Sequence, residues 1–248
     1  MDELVRDGVR LCFADAGKGA PPIVLVHELG ADHACLATHF EHLRQRHRAV
    51  TVDLRGHGES DKPEQAYTVA GFADDLIWLA YELGLYRPVV VGHGLGGAIA
   101  LELAARAPAL PAAIVAVDTP LRCLLPSGGE LRPREYAPHV SSAAPRHVVA
   151  SALEHLGSWH GAAALVACAV PALYVATGAS GIVASPGELA RLRAASARIV
   201  VDEIARTGDR EGPPEPPTSP GASEQINAAI ERFLSASIRA ADRAHLSL

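Results

Sequence analysis

The chain has 248 residues, of which 49% are hydrophobic and 20% charged, a globular composition that excludes a disordered segment and leaves room for one domain with a sizeable core. The net charge of −6 gives no electrostatic case for nucleic acid or an anionic membrane. Aromatic residues are only 4%, so the core must be aliphatic, while the 12 histidines invite a search for a histidine-based site. The cysteines, Cys12, Cys35, Cys123 and Cys168, are widely spaced with no C-x-x-C pair, which argues against a zinc ribbon or a disulfide framework. The opening MDELVRDGVRLCFADAG has no apolar run of the kind a signal peptide needs, and no stretch is long enough to cross a bilayer. A cytoplasmic protein is expected.

In chain order, Val9–Ala14 alternates apolar and polar residues and predicts a strand. Ile23–His27 is a continuous apolar run, as a strand buried on both faces requires. Ala34–His47 has helical spacing, Ala49–Leu54 is the next strand, and RGHGESDKPEQA is a polar loop. Thr68–Leu83 predicts a helix with Thr68 as its N-cap and Gly84 as its stop. Pro88–Gly92 is a strand, Leu95–Ala107 a helix and Ala113–Asp118 a strand. Regularity then fades over Thr119–Ala163, with scattered Pro, Gly and His. It returns with a strand at Pro171–Thr177, a helix at Pro186–Ala195 and a strand at Arg198–Asp202. A proline-rich loop precedes a last helix at Glu224–Ala240. Repeated strand–helix units imply a parallel sheet covered on both faces, with ligands at the carboxyl ends of the strands.

The motif Gly92-His93-Gly94-Leu95-Gly96-Gly97 sits between a strand and a helix, and matches the dinucleotide fingerprint G-x-G-x-x-G. Asp118, 21 residues after Gly97, falls where a ribose-binding acid would lie. Its neighbours favour another reading. VLVHELGADH, VDLRGHGESDKP, YTVAGFADDLIWLAYELGL and VVVGHGLGGAIALELAARAP occur in order, and PALYVATG and EQINAAIERFL follow later. Together these resemble the α/β-hydrolase family: its oxyanion loop, its D-x-R-G-x-G-x-S loop, the helix before the nucleophile elbow, and the elbow itself. The resemblance implies a mostly parallel sheet flanked by helices. The core would span residues 1–119 and 170–248, with a short helical cap at 120–169.

The resemblance also implies a Ser-His-Asp triad, and this chain departs from it at each matched position. The nucleophile slot of G-x-S-x-G holds Gly94. The acid slot after the strand at Leu173–Thr177 holds Gly181, and the histidine slot holds Asp209. Loss of a triad serine or histidine costs about 10⁶ in kcat, so ordinary ester or peptide hydrolysis is not expected. A hydrolase inactivated by a single Ser→Gly change would explain Gly94 but not Gly181 or Asp209. A further departure is Glu28, where the family usually carries glycine after His27. The oxyanion hole expected from the resemblance uses the backbone N–H groups of Leu29 and Leu95, which any side-chain change leaves in place.

These features lead to an expected enzyme with neither nucleophile nor cofactor nor metal. Its acid–base residues would be Glu28, Asp118 and Asp209. A small, largely apolar or aromatic ligand would meet Leu29, Asp32, His33, Gly94 and Leu95, with Trp159 and His160 of the cap closing over it. The resemblance extends to non-hydrolytic members, so carbon–carbon bond formation, cyclisation or lyase chemistry of natural-product type is expected. The alternative is a ligand- or partner-binding protein without chemistry. Partners are expected to be a small molecule and at most a second copy of the chain, forming a homodimer. His27 and His93 are expected to be structural, His39, His42, His47 and His245 exposed, and Arg55 and Asp61 to brace their loop. HELGADH is rejected as a zinc motif, because its histidines lie at a strand end and loop with the wrong spacing.

Overall fold

The computed structural model describes residues 1–121, 143–177, 184–204 and 219–245. Its eight-stranded sheet runs β1-β2-β4-β3-β5-β6-β7-β8. The strands are β1 (Asp2–Arg6), β2 (Val9–Ala16), β3 (Ile23–Val26), β4 (Ala49–Val52), β5 (Val89–His93), β6 (Ala113–Val117), β7 (Ala172–Ala176) and β8 (Ile199–Glu203). Pairings β1–β2 and β2–β4 are antiparallel, and every pairing from β4 to β8 is parallel. This is the mostly parallel, helix-flanked sheet that the motifs imply.

The first hairpin turns at Asp7 and Gly8, with φ of 51° and 80°. Asp-Gly at positive φ is the pair a tight hairpin between right-twisted strands favours. Strand β1 is absent from the expected elements because it is a short, charged edge strand whose residues are mostly exposed. Strands β3, β4, β5 and β6 are buried along their whole length, which accounts for their unbroken apolar runs.

The helices are α1 (Ala37–Leu43), α2 (Val69–Glu82), α3 (Leu95–Arg106), α4 (Arg146–Gly157), α5 (Gly161–Ala167), α6 (Pro186–Ala195) and α7 (Pro220–His245), with a 3-10 turn at His33–Leu36 before α1. Thr68 caps α2 by accepting from the Gly71 N–H at 2.9 Å. Gly84, at φ 59°, ends it, and the Gly84 and Leu85 N–H groups bond back to Tyr81 and Ala80. That is the stop the sequence signalled. Ser185 and Glu188 cap α6 reciprocally. Helices α4 and α5 fall where the sequence shows no clear period. Alternate strand residues feed two cores: Val24, Val26, Val50 and Val90 pack with α2 and α3, and Ile23, Leu25, Val89 and Val91 with α7 residues Ile226, Ile230 and Phe233.

Two expected surface histidines are corrected by this packing. His39 is fully buried, its Nδ1 2.7 Å from Asn227 Oδ1 of α7. His47 is buried too, and its Nδ1 donates to the Pro21 carbonyl at 3.0 Å. In a chain with so few aromatics, histidine rings fill buried aromatic-sized space. The side chain of His245 lies outside the described residues, as do Cys123 and His139.

Candidate active site

The strand order reverses direction around β3: β4 lies on one side and β5 on the other. The crevice at the carboxyl ends of β3 and β5 is therefore the topological switch point where open α/β sheets bind ligands. Two turns meet there, one after Val26 and one after His93.

The turn after β5 is an elbow. Gly94 has φ 53° and ψ −113°, a conformation that side chains disfavour, and α3 starts at the next residue. Close packing fixes this turn. A Cβ on Gly92 would lie 2.1 Å from the Gly96 backbone, and one on Gly96 would lie 2.2 Å from the Val26 carbonyl oxygen. The glycines thus seat α3 directly on the end of β3. The Gly94 N–H donates to Val117 O at 2.9 Å, tying the elbow to β6. The Leu95 N–H, and the Leu29 N–H across the crevice, donate to no backbone acceptor among the described residues.

The turn after β3 carries His27 and Glu28. His27 is fully buried and its Nε2 accepts from the Leu54 N–H at 3.0 Å. Its Nδ1 therefore holds the proton and donates to the Glu28 carbonyl at 2.7 Å. Burial pushes the His27 pKa down, so the ring is a neutral brace for the loop. The Glu28 side chain, by contrast, forms no hydrogen bond or ion pair with any described residue. Burial, and then the nearby charge of Asp118, push its pKa up to about 7.

Asp118 ends β6 at φ 45° and is 8% exposed. Its Oδ1 accepts from the Thr177 N–H at 2.8 Å and its Oδ2 from the Thr177 hydroxyl. Burial raises the Asp118 pKa, and the two Thr177 bonds oppose that rise. Glu28 and Asp118 thus follow β3 and β6 at the same end of the sheet, near enough that the charge of Asp118 acts on Glu28, and no described cation acts on either.

Other candidates lie apart from this pair. Asp32 caps the 3-10 turn, accepting from the Ala34 N–H at 3.0 Å. His33 is committed to Asp53, which accepts from its N–H at 2.7 Å and from its Nδ1 at 2.9 Å. Asp53, buried, also accepts from the Glu59 N–H at 2.8 Å, so it knits the D-x-R-G-x-G-x-S loop to the 3-10 turn. Neither His93 nitrogen has a partner among the described residues, and its ring lies 4.9 Å from that of His39, tilted by 58°, on the α7 side of the sheet. Trp159 is half-buried against the α2/α3 core, and His160 is exposed just before α5. Arg55 pairs with buried Asp75, which Arg6 also reaches at 3.1 Å, and Asp61 binds Arg10. Gly181 and Asp209 lie outside the described residues. Among the described residues no cluster of three His, Cys, Asp or Glu could hold a metal ion, and no helix is long and apolar enough to cross a membrane. Thr177 and Asp53 were not among the expected site residues; the D-x-R-G motif flags Asp53, but nothing local flags Thr177.

A family model described as the alpha/beta hydrolase fold matches residues 21–165. The chain belongs to the α/β-hydrolase fold family. A 2-(acetamidomethylene)succinate hydrolase of Mesorhizobium japonicum is 36% identical over 102 residues, covering 41% of this chain and 37% of that protein. An uncharacterised protein of Mycobacterium tuberculosis is 37% identical over 111 residues, covering 45% of this chain and 32% of that protein. The chain thus spans about a third of the length of these curated relatives. A thermophilic esterase from Thermogutta terrifontis, solved with malate bound, superposes with a TM-score of 0.78 at 22% identity, covering 96% of this chain and 99% of that one. At that identity the likeness is one of fold.

Proposed function

We propose that the chain is an acid–base enzyme without a covalent nucleophile or cofactor. A small, largely apolar or aromatic molecule would place an oxygen at the Leu29 and Leu95 N–H groups and a transferable proton at Glu28. As the proton leaves, charge develops on that oxygen, and preset backbone donors stabilise it more than they stabilise the ground state. Enolate-type chemistry fits this arrangement: carbon–carbon bond formation, cyclisation or elimination. The observation that carries the reading is the Glu28 carboxyl, without a hydrogen-bond or ion-pair partner among the described residues and with its pKa pushed up by burial to about 7, where a general base works best at neutral pH. Gly94 supports it by leaving open the space a serine side chain would fill. Asp118 would set the charge around Glu28, and Asp209 remains a candidate second acid.

Hydrolysis by water activated at Glu28 is a second reading. It is favoured by the names of similar proteins, which include a succinate-derivative hydrolase, a deformylase and an enol-lactonase. The acids those names imply would be repelled by two carboxyls here, so their substrates are not carried over. One experiment separates the readings. Exchange of the α-protons of phenylacetone with deuterated water, followed by NMR, should proceed with the wild type and fall roughly 10²–10⁴-fold in Glu28→Gln. Hydrolysis of p-nitrophenyl butyrate should stay at background. Ester turnover that depends on Glu28, without exchange, would replace the lead reading with the second. No Glu28-dependent rate in either assay would remove both.

A further inference from the structure

We propose that Thr177 is a positioning residue of this site: its two hydrogen bonds hold Asp118 as the charged member of the acid pair and thereby leave the pair's proton on Glu28. The inference rests on the reading of Glu28 as the proton-transfer group.

The arrangement follows from the sheet. Strands β6 and β7 are parallel neighbours with Val117 opposite Val175. The Asp118 N–H extends that ladder by donating to Val175 O at 2.9 Å. Asp118 then leaves the extended conformation for φ 45°. Its carboxylate meets the end of β7, where the Thr177 N–H donates to Oδ1 at 2.8 Å and the hydroxyl to Oδ2. Both oxygens are engaged by donors. An ionised carboxylate accepts two such bonds freely, whereas a protonated one must turn a hydrogen toward a donor.

Glu28 has no comparable support. Two neighbouring buried carboxyls that feel each other's charge do not both ionise at low pH, and the one better supplied with hydrogen-bond donors loses its proton first. Thr177 supplies that difference. The other titratable groups facing the pair do not compete. Cys35, from the 3-10 turn, faces Glu28 and has its thiol pKa pushed up by burial. Tyr174, on β7, faces Asp118, is likewise pushed up by burial, and spends its hydroxyl on Thr119 O at 2.8 Å. No described Lys, Arg or His acts on either carboxyl.

The test needs no substrate. The full chain is labelled with ¹³C at Glu and Asp side-chain carboxyls and titrated by NMR. Glu28 and Asp118 are assigned by the signals lost in Glu28→Gln and Asp118→Asn. In the wild type, Asp118 should finish titrating well before Glu28. In Thr177→Val the Asp118 midpoint should rise by about one pH unit, and Asp118 should take a share of the later step. In Asp118→Asn the Glu28 midpoint should fall by roughly half a unit or more, because a like charge has gone. Thr177→Ser keeps the hydroxyl and should match the wild type. A merely structural threonine would lower stability in the valine variant without moving either midpoint, and that result overturns the proposal. If the valine variant does not fold, Thr177→Ala serves the same purpose. Wild-type Glu28 titrating with ordinary glutamates would remove the base reading itself, a different outcome from an unmoved Thr177 variant.

Discussion

The turns after β3 and β5 meet at one crevice and are built in opposite ways. The β5 turn keeps the elbow's backbone, with Gly94 at φ 53° and ψ −113° and α3 seated on β3, but offers no reactive side chain. The β3 turn instead carries a carboxyl, Glu28, whose pKa burial pushes up to about 7. What is written in backbone geometry survives replacement of side chains; what is written in side chains does not. The Leu29 and Leu95 N–H groups, without a backbone acceptor among the described residues, belong to the first kind.

The largest expected effect comes from breaking the backbone half of this contrast. In Gly96→Ala the new Cβ would lie 2.2 Å from Val26 O and 2.8 Å from His27 O. Both are backbone atoms in a buried strand end, so α3 must lift from β3. A loss of about 3 kcal/mol is expected, or roughly 6–12 °C in Tm by thermal melting. Gly187→Ala, whose Cβ would meet nothing within 4 Å, should match the wild type. Equal melting of the two variants would mean that the elbow is not jammed as described.

Gly94→Ser probes the same turn from the side of chemistry. Serine must adopt φ 53° there, at an expected cost of about 1–3 kcal/mol. Hydrolysis of p-nitrophenyl butyrate should remain at background if, as proposed, Asp209 stands where the resemblance would put the histidine. An acyl-enzyme burst in this variant would show that a histidine has moved into reach, and that the side-chain half was lost at one position only.

The same division explains what could be read beforehand. The parallel sheet was legible because β3 to β6 are buried on both faces and announce themselves as apolar runs, and the Thr68 cap, the Gly84 stop and Pro186 at the first position of α6 are local signals. Glu28 and Gly94 stood out against the family resemblance, and Asp118 by its place at the end of a strand. The charged edge strand β1 did not, since half-exposed residues carry no clear alternation. Helix α4 has a helical stripe in Val148, Val149, Ala152, Leu153 and Leu156, but three histidines, a tryptophan and nearby glycines obscure it. The bonds of Thr177 to Asp118 and of His39 to Asn227 join residues 59 and 188 positions apart. Such contacts depend on strand order and helix docking, which no short window of sequence contains.

The smallest expected effect concerns stability, and pH separates the Glu28 turn from buried His57 in the loop after β4. An unfolded Glu28 ionises near 4.5, whereas the folded one keeps its proton to about 7. Between those values the unfolded state binds fewer protons, so stability falls as pH rises through that window and levels off above it. Discounted for partial exposure, the penalty at pH 8 is on the order of 1 kcal/mol, or about 2–4 °C of Tm. Glu28→Gln keeps the shape without the charge, so it should melt with the wild type at pH 4 and above it at pH 8. Buried His57 works in the other direction. Its pKa is pushed down to about 3 by burial, so its contribution is whole above pH 6.5 and is lost on acidification. The acid side of the wild-type profile should therefore persist in Glu28→Gln while the neutral side rises. A variant that gains equally at pH 4 and pH 8 would place the benefit in packing and leave Glu28 without its perturbed proton.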